Sequence, residues 1–181
     1  AGVKYQSDDG NINSTVSAYR ITKSNALSPD PVNGIAFSVQ VEEERSQGIE
    51  FDISAQPVKG LNLIANYSYI DAKITRDNLF PEGNRLPSIP ENSGSLWATY
   101  NFFKGLLDSF GLGAGIIGVG KRQGDLLNTF TLDGFVRLDA ALYYEKPLNE
   151  KLLLKASVNF KNITDKEYFV SSDSRNSILP G

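Results

Sequence analysis

The most informative feature of the chain is a period of two. From Leu152 to Phe160 the even positions read Leu, Leu, Ala, Val and Phe, while the odd positions from Leu153 to Lys161 read Leu, Lys, Ser, Asn and Lys. Val136, Leu138, Ala140, Leu142 and Tyr144 alternate with Arg137, Asp139, Ala141 and Tyr143. Leu61, Leu63, Ala65, Tyr67 and Tyr69 face away from Asn62, Asn66 and Ser68, and Leu96, Ala98, Tyr100 and Phe102 oppose Ser95, Thr99 and Asn101. Ile49, Phe51, Ile53 and Ala55 oppose Glu50, Asp52, Ser54 and Gln56 in the same way. Because successive side chains of a strand point to opposite faces, each of these segments is a pleated strand with one apolar and one hydrogen-bonding face.

Eight strands are predicted, around Gly2–Gln6, Asn11–Ile21, Ala36–Gln56, Leu61–Ile74, Gly94–Phe103, Phe110–Arg122, Gly134–Glu145 and Lys151–Ile163. Most run to about ten residues or more, where globular proteins favour five or six and a tilted membrane-spanning strand needs about ten. Their connections alternate in length. Short ones fall at Ser7–Asn11, Pro57–Gly60, Lys104–Ser109 and Pro147–Glu150; long ones fall at Thr22–Ile35, Arg76–Ser93, Gln123–Asp133 and Thr164–Gly181. Short turns at one rim and long loops at the other mark an outer-membrane barrel, and Tyr67, Tyr69, Tyr100, Phe102, Tyr143 and Tyr144 stand near strand ends where aromatic girdles sit. Each strand is expected to pair antiparallel with its sequence neighbours. Leu152, Leu154, Ala156, Val158 and Phe160 are expected on the lipid side, with Lys155, Ser157, Asn159 and Lys161 on the other. No strand is expected within Thr164–Gly181, and the abrupt start and this trailing loop read as a piece of something larger.

Composition narrows the chemistry. The 181 residues carry 18 Lys plus Arg against 21 Asp plus Glu, a net charge of −3, so no basic field attracts a nucleic acid. Cys, His and Met are all absent. Without them there are no disulfides, no zinc fingers, no thiol nucleophiles and no imidazole base. The mean hydropathy of −0.25 resembles that of a soluble protein, but a transmembrane barrel alternates and shows no hydropathy peak. The longest nearly apolar stretch, Phe110 to Gly120, holds five glycines and falls short of the roughly 20 residues of a membrane helix.

A set of motifs runs the length of the chain. Arg45-Ser-Gln-Gly-Ile-Glu-Phe51, Tyr67-Ser-Tyr-Ile-Asp-Ala72 and Asn84-Arg-Leu-Pro-Ser-Ile-Pro-Glu-Asn92 resemble strand and loop signatures of TonB-dependent siderophore receptors, of the ferrichrome or hydroxamate type. Trp97 with Tyr100, and Gly111, Gly113 and Gly118 followed by Arg122, continue the resemblance. Val158-Asn-Phe-Lys-Asn-Ile-Thr-Asp-Lys-Glu-Tyr168 is the most specific match, and Ile178-Leu-Pro-Gly181 resembles the opening of the family's last strand. The resemblance implies an all-β, antiparallel up-and-down meander forming part of a 22-stranded transmembrane barrel. It further implies that residues 1–181 are the C-terminal segment of that barrel, about eight strands, with the plug domain, the TonB box and the last strand outside it. Implied partners are a ferric siderophore, outer-membrane lipid, and the TonB–ExbB–ExbD complex acting through the N-terminal plug. The implied location is the outer membrane of a Gram-negative-type bacterium. No enzyme activity, cofactor, protein-bound metal or nucleic acid is expected.

Arg76, Asp77, Phe80, Arg85, Arg122 and Asp125 are the loop residues best suited to touch a ligand, with Trp97 on the polar face of its strand as a further candidate. For Trp97, packing on a neighbouring strand is the simpler role. The glycines of Phe110–Gly120 are assigned to relief of crowding, since no helix follows to make a phosphate cradle. Asn162 and Asp165 are assigned to ending a strand. Arg137, Asp139, Lys155 and Lys161 are expected to pair with one another or with a plug. The Glu42–Glu44 run is expected at a solvated loop end. A receptor for cobalamin or carbohydrate, and a small non-enzymatic barrel or adhesin, are the alternatives; a soluble β-rich module fits the long strands poorly.

Overall fold

The computed structural model describes residues 1–30, 32, 34–174 and 177–181. Its strands, among the described residues, are β1 (Gly2–Gln6), β2 (Ile12–Asp30), β3 (Gly34–Val58), β4 (Leu61–Arg76), β5 (Asn92–Asn101), β6 (Phe110–Val119), β7 (Arg122–Gln123), β8 (Thr131–Leu132), β9 (Phe135–Asn149), β10 (Leu152–Phe160), β11 (Phe169–Ser174) and β12 (Ser177–Pro180). One 3-10 turn, Gly105–Leu107, lies between β5 and β6. Strands β1 to β6, β9 and β10 form an eight-stranded sheet in chain order, every pairing antiparallel. The meander expected from the short turns is therefore the one observed. The pairs β7–β8 and β11–β12 stand apart as two-stranded sheets within the long connections.

The register carries each apolar set across the sheet on a single face. Phe51 stands opposite Tyr67, Ala65 opposite Leu96, Ile116 opposite Leu138 and Leu142 opposite Val158. This face is exposed along its length, Ile49, Tyr67, Leu112, Val136 and Val158 among others standing roughly half accessible. A sheet whose apolar surface is left open to this extent is built for a lipid solvent. On β10, Leu154, Ala156, Val158 and Phe160 share the face of Tyr144, Leu142 and Ala140, and Lys155, Ser157 and Asn159 share the opposite one. Leu152 stands opposite Asn149, beyond a register shift from Leu153, which faces Pro147, a residue with no N–H to continue the ladder, and Lys161 lies just past the strand.

Several boundaries differ from the sequence reading. The long connection expected at Thr22–Ile35 is largely strand, because β2 and β3 run on well past the apolar band to Asp30 and from Gly34; residues 31 and 33 lie outside the described set. Alternation fades there, so periodicity alone did not mark it. Glu42, Glu43 and Glu44 accordingly lie within β3, where Glu43 accepts a hydrogen bond from Thr75 Oγ1 at 2.7 Å and Glu44 pairs with Lys23 at 3.3 Å. The strand expected to reach Arg122 ends at Val119, and Arg122 belongs to β7. The trailing segment after Thr164 does contain strands, β11 and β12, paired with each other through six and four residues that show little alternation. Tyr143 lies opposite Gly111 and Ser157 on the polar face, so it is no part of an aromatic girdle. Phe110 and Tyr144, with ring centroids 4.9 Å apart, and Tyr100 and Phe102, at 5.1 Å, gather at the short-turn rim instead.

Candidate functional site

The long connections all leave the sheet at one rim, and three of them fold into a single polar platform. The first, residues 77–91 between β4 and β5, lies alongside the upper end of β4. Ile74 N–H donates to Asn84 O at 2.9 Å, Leu86 N–H to Ala72 O at 3.0 Å and Ile70 N–H to Glu91 O at 2.9 Å, with a bridge between Lys73 and Arg85. These bonds occupy the β4 edge above the point where β5 begins. The second loop, residues 120–134, carries β7 and β8. Its Asn128, held at φ 55°, a region Asn tolerates, exchanges two hydrogen bonds with the backbone of Arg85: Arg85 N–H donates to Oδ1 at 2.9 Å and Nδ2 donates to Arg85 O at 2.8 Å. Asn84 Nδ2 donates to Leu126 O at 2.8 Å, and Ser88 N–H to Gln123 O at 2.8 Å.

The third segment, with β11 and β12, is locked to both others. Ser88 Oγ accepts the Ser172 N–H at 2.7 Å and donates to the Ser172 carbonyl. Arg122 is 4% exposed, and its guanidinium donates to the carbonyls of Val170 at 3.2 Å, Phe169 at 2.9 Å and Asp133 at 3.1 Å while lying 5.4 Å from the Phe135 ring. Burial without a carboxylate partner pushes its pKa down from the ordinary arginine value, though an arginine starts so high that it stays charged. Ala72, Ile74, Leu132 and Ser172 are also buried here. Much of the chain's tight packing lies in this platform rather than on the open sheet.

Below it, Arg137 holds Asp139 through two bonds of 3.0 and 2.8 Å and donates to the Tyr168 hydroxyl at 3.1 Å. Asp139 also accepts the Asn162 N–H at 2.8 Å, and Tyr168 stacks on Phe135 with centroids 4.1 Å apart. Asn162 (φ 54°) and Asp165 (φ 50°) turn the chain out of β10, as their sequence context indicates, with Asn162 Oδ1 accepting Lys166 N–H at 2.9 Å. Lys155 pairs with Glu145 at 2.9 Å on the polar face.

The seven residues singled out in the sequence fall into distinct settings. Arg76 ends β4 and is exposed, while Asp77 Oδ1 accepts the N–H groups of Leu79 at 2.6 Å and Phe80 at 2.8 Å, folding the loop tip that carries the half-buried Phe80. Asp125 accepts the Thr129 N–H at 2.8 Å and the Thr129 hydroxyl, shaping its own turn. Arg85 donates to Ile70 O at 2.8 Å and stands 3.5 Å from Glu91 and 3.7 Å from Asp71. The platform thus links Arg85 and Asp125 through Asn128, whose N–H and Nδ2 reach Asp125 O at 3.1 and 3.0 Å. Trp97 lies lower, on the polar wall against β6, away from the loops. Sequence reasoning passed over Asn84, Ser88, Asn128 and Ser172. The positive φ of Ser88 and Asn128 has a sequence hint only in the asparagine.

Residues 1–163 match the family described as TonB dependent receptor-like, beta-barrel. The chain belongs to that family. It is 35% identical over its whole length to the metal-pseudopaline receptor of Pseudomonas aeruginosa, and 34% identical over 94% of its length to the ferrichrome outer membrane transporter/phage receptor of Escherichia coli. These alignments cover 25% and 22% of the relatives, so the chain spans about a quarter of their length. Among solved structures, the siderophore receptor PiuA from Acinetobacter baumannii superposes on 99% of the chain, and 26% of its own, with a TM-score of 0.82 at 25% identity. The ferric citrate transporter FecA in its unliganded form shares the fold at a TM-score of 0.79 and 22% identity, with 99% of this chain and 28% of that one covered. The open sheet corresponds to part of such a barrel. Its apolar face meets the lipid of a Gram-negative-type outer membrane, and the platform stands at the rim of the long loops.

Proposed function

We propose that the receptor carrying this chain binds ferric siderophore complexes at the cell surface and moves them across the outer membrane at the expense of TonB. The observation that carries this reading is the near-full-length similarity to proteins named as receptors or transporters for such chelates: ferrichrome at 34% identity, and ferrioxamine B in Salmonella typhimurium at 31% over 96% of the chain. Residues 1–181 would be the C-terminal segment of the barrel, with the plug supplied by another part of the same polypeptide and coupled to TonB–ExbB–ExbD. In this scheme the siderophore's own oxygens satisfy the iron. The barrel then needs a shaped polar surface rather than metal-ligating side chains, in keeping with a chain that has no His, Cys or Met. Within that surface, Arg76 and Phe80 would meet the ligand directly, and Trp97 would meet it or the plug deeper in the lumen. Asp77, Arg85, Arg122 and Asp125 would set the shape of the loops that present it.

A second reading is uptake of a metal chelate other than a ferric siderophore. It rests on the 35% identity, over the whole chain, to a protein named for metal-pseudopaline. Cells expressing the full-length gene separate the readings when given radiolabelled iron on hydroxamate siderophores, or other transition metals on their chelators, with and without TonB. Iron–siderophore uptake that stops without TonB is the expected result. Uptake indifferent to TonB overturns the energised mechanism, and uptake confined to another metal's chelate favours the second reading.

A further inference from the structure

At the rim opposite the platform, one short turn carries the most exposed large apolar side chain among the described residues. Residues 102–109 join β5 to β6 through the 3-10 turn Gly105–Leu107, and Gly105 enters it at φ 78°, a conformation that glycine adopts freely. Leu106 at the tip is 100% exposed, and Leu107 beside it is half exposed. The turn over residues 7–11 on the same rim is a contrast. It holds no apolar residue, and Ser7, Asp9 and Asn11 close it with side-chain hydrogen bonds, as a turn in water does.

The two leucines continue the lipid-facing wall. Phe102 N–H donates to Phe110 O at 2.9 Å at the foot of the β5–β6 ladder, and the ring pairs Tyr100–Phe102 and Phe110–Tyr144 bring the apolar face down to that level. The neighbouring turn, residues 57–60 between β3 and β4, adds charge. It lies alongside because Leu61 stands opposite Tyr100 and Asn101 N–H donates to Gly60 O at 2.8 Å. Lys59 Nζ sits 4.7 Å from the centre of the Phe103 ring, and Lys104 Nζ flanks the same ring at 5.9 Å. Both lysines are exposed, and neither has a carboxylate at ion-pair distance among the described residues. The acid of this turn, Asp108, accepts the Ser109 hydroxyl at 3.3 Å instead. One aromatic ring thus holds two cations close together without neutralising either.

We propose that these two turns form a binding site for an anionic phospholipid of the periplasmic leaflet. Short turns stand on the periplasmic side of such barrels, which fixes the leaflet. Leu106 and Leu107 enter the interface beside the acyl chains, and Lys59 and Lys104 meet the anionic headgroup. Apolar insertion and attraction between basic residues and anionic lipid add to one another, and each alone holds a lipid only weakly. The site rests on the membrane-facing side of the sheet and is the same whichever chelate the receptor carries.

The test titrates the full-length receptor, in a neutral detergent, with phosphatidylglycerol or phosphatidylcholine of identical acyl chains, and counts bound lipids by native mass spectrometry. The wild-type receptor is expected to hold phosphatidylglycerol about tenfold more tightly, the order of what two lysines beside an anionic surface supply. Lys59→Gln/Lys104→Gln should remove that preference, while Leu106→Ser/Leu107→Ser should weaken both lipids and keep it. Lys155→Gln, the same charge change on the polar wall, should alter neither. Equal affinity for the two lipids in the wild-type protein overturns the proposal without relying on any variant. A preference that survives the loss of both lysines also overturns it, by placing the anionic lipid elsewhere on the barrel. So do affinities untouched by the leucine substitutions, which would leave the exposed tip to a protein partner.

Discussion

Trp97 lies directly across the β5–β6 ladder from Gly115, and its indole occupies the space that a side chain at Gly115 would need. A Cβ built on Gly115 overlaps Cε3 of the ring, and one on Gly113 would come within 2.8 Å of Cζ2. Gly113 and Gly115 are therefore a bed for one large ring, and the crowding relief assigned to them has a specific beneficiary. Gly118 lies on the opposite, lipid-side face, and a Cβ there meets nothing within 4 Å.

This contrast gives a first prediction. Gly115→Val in the full-length receptor should displace Trp97 and lower stability by about 1–3 kcal/mol, as overpacking does. Gly118→Ala should stay within about 0.5 kcal/mol of wild type. Thermal unfolding in detergent reads both, and equal shifts would show that the indole does not rest on Gly115.

Arg122 is predicted to be the clamp of the β11–β12 hairpin. Its removal leaves the carbonyls of Val170, Phe169 and Asp133 without that donor, at a local cost of about 2–4 kcal/mol. Hydrogen exchange should accelerate in residues 169–174 of Arg122→Ala while the ladder from β3 to β6 keeps its protection. Uniform protection throughout would remove the clamp role.

Asn128 joins two loops through the paired bonds to the Arg85 backbone. Asn128→Ala should uncouple residues 77–91 from residues 120–134 at a cost of about 1–3 kcal/mol in the platform. Limited proteolysis is the check, with new cleavage expected in residues 77–91. An unchanged digestion pattern would mean that the backbone bonds around Ser88 and Gln123 suffice.

The facing of β10 can be read in membranes. With no native cysteine in these residues, spin labels placed by Val158→Cys and Ser157→Cys in the receptor should separate cleanly. The first should relax with oxygen dissolved in lipid, and the second with a water-soluble paramagnetic chelate. Reversal would place the sheet the other way round, since a one-residue slip inverts every side chain.

At the short-turn rim, the Ser7 hydroxyl and the Asn11 side chain and N–H donate to the Asp9 carboxylate and hold its pKa below the ordinary 3.8. A depressed folded value means that the contribution of this turn is present above the unfolded value and is lost as pH falls through the folded one. Residues 7–11 should keep their conformation from neutral pH down past the usual aspartate range, loosening only in stronger acid. NMR shifts of the turn measure this, and a midpoint at or above the ordinary value would contradict the bonding.

The binary pattern determined the solvent on each side of the sheet and the order of pairing. A strand exposes alternate residues whatever its surroundings, and short turns leave only antiparallel neighbours available. It also determined that Trp97 and Arg137 face the polar side, and that Asn162 and Asp165 end β10. What it could not carry was the platform. Arg122 and Arg85 read as exposed loop cations in one dimension, and only the folding of three distant loops over one another turns Arg122 into a buried donor to main-chain carbonyls. Asn128 and Ser172 act through backbone groups that no side-chain pattern encodes, 43 and 84 residues from the partners they bind.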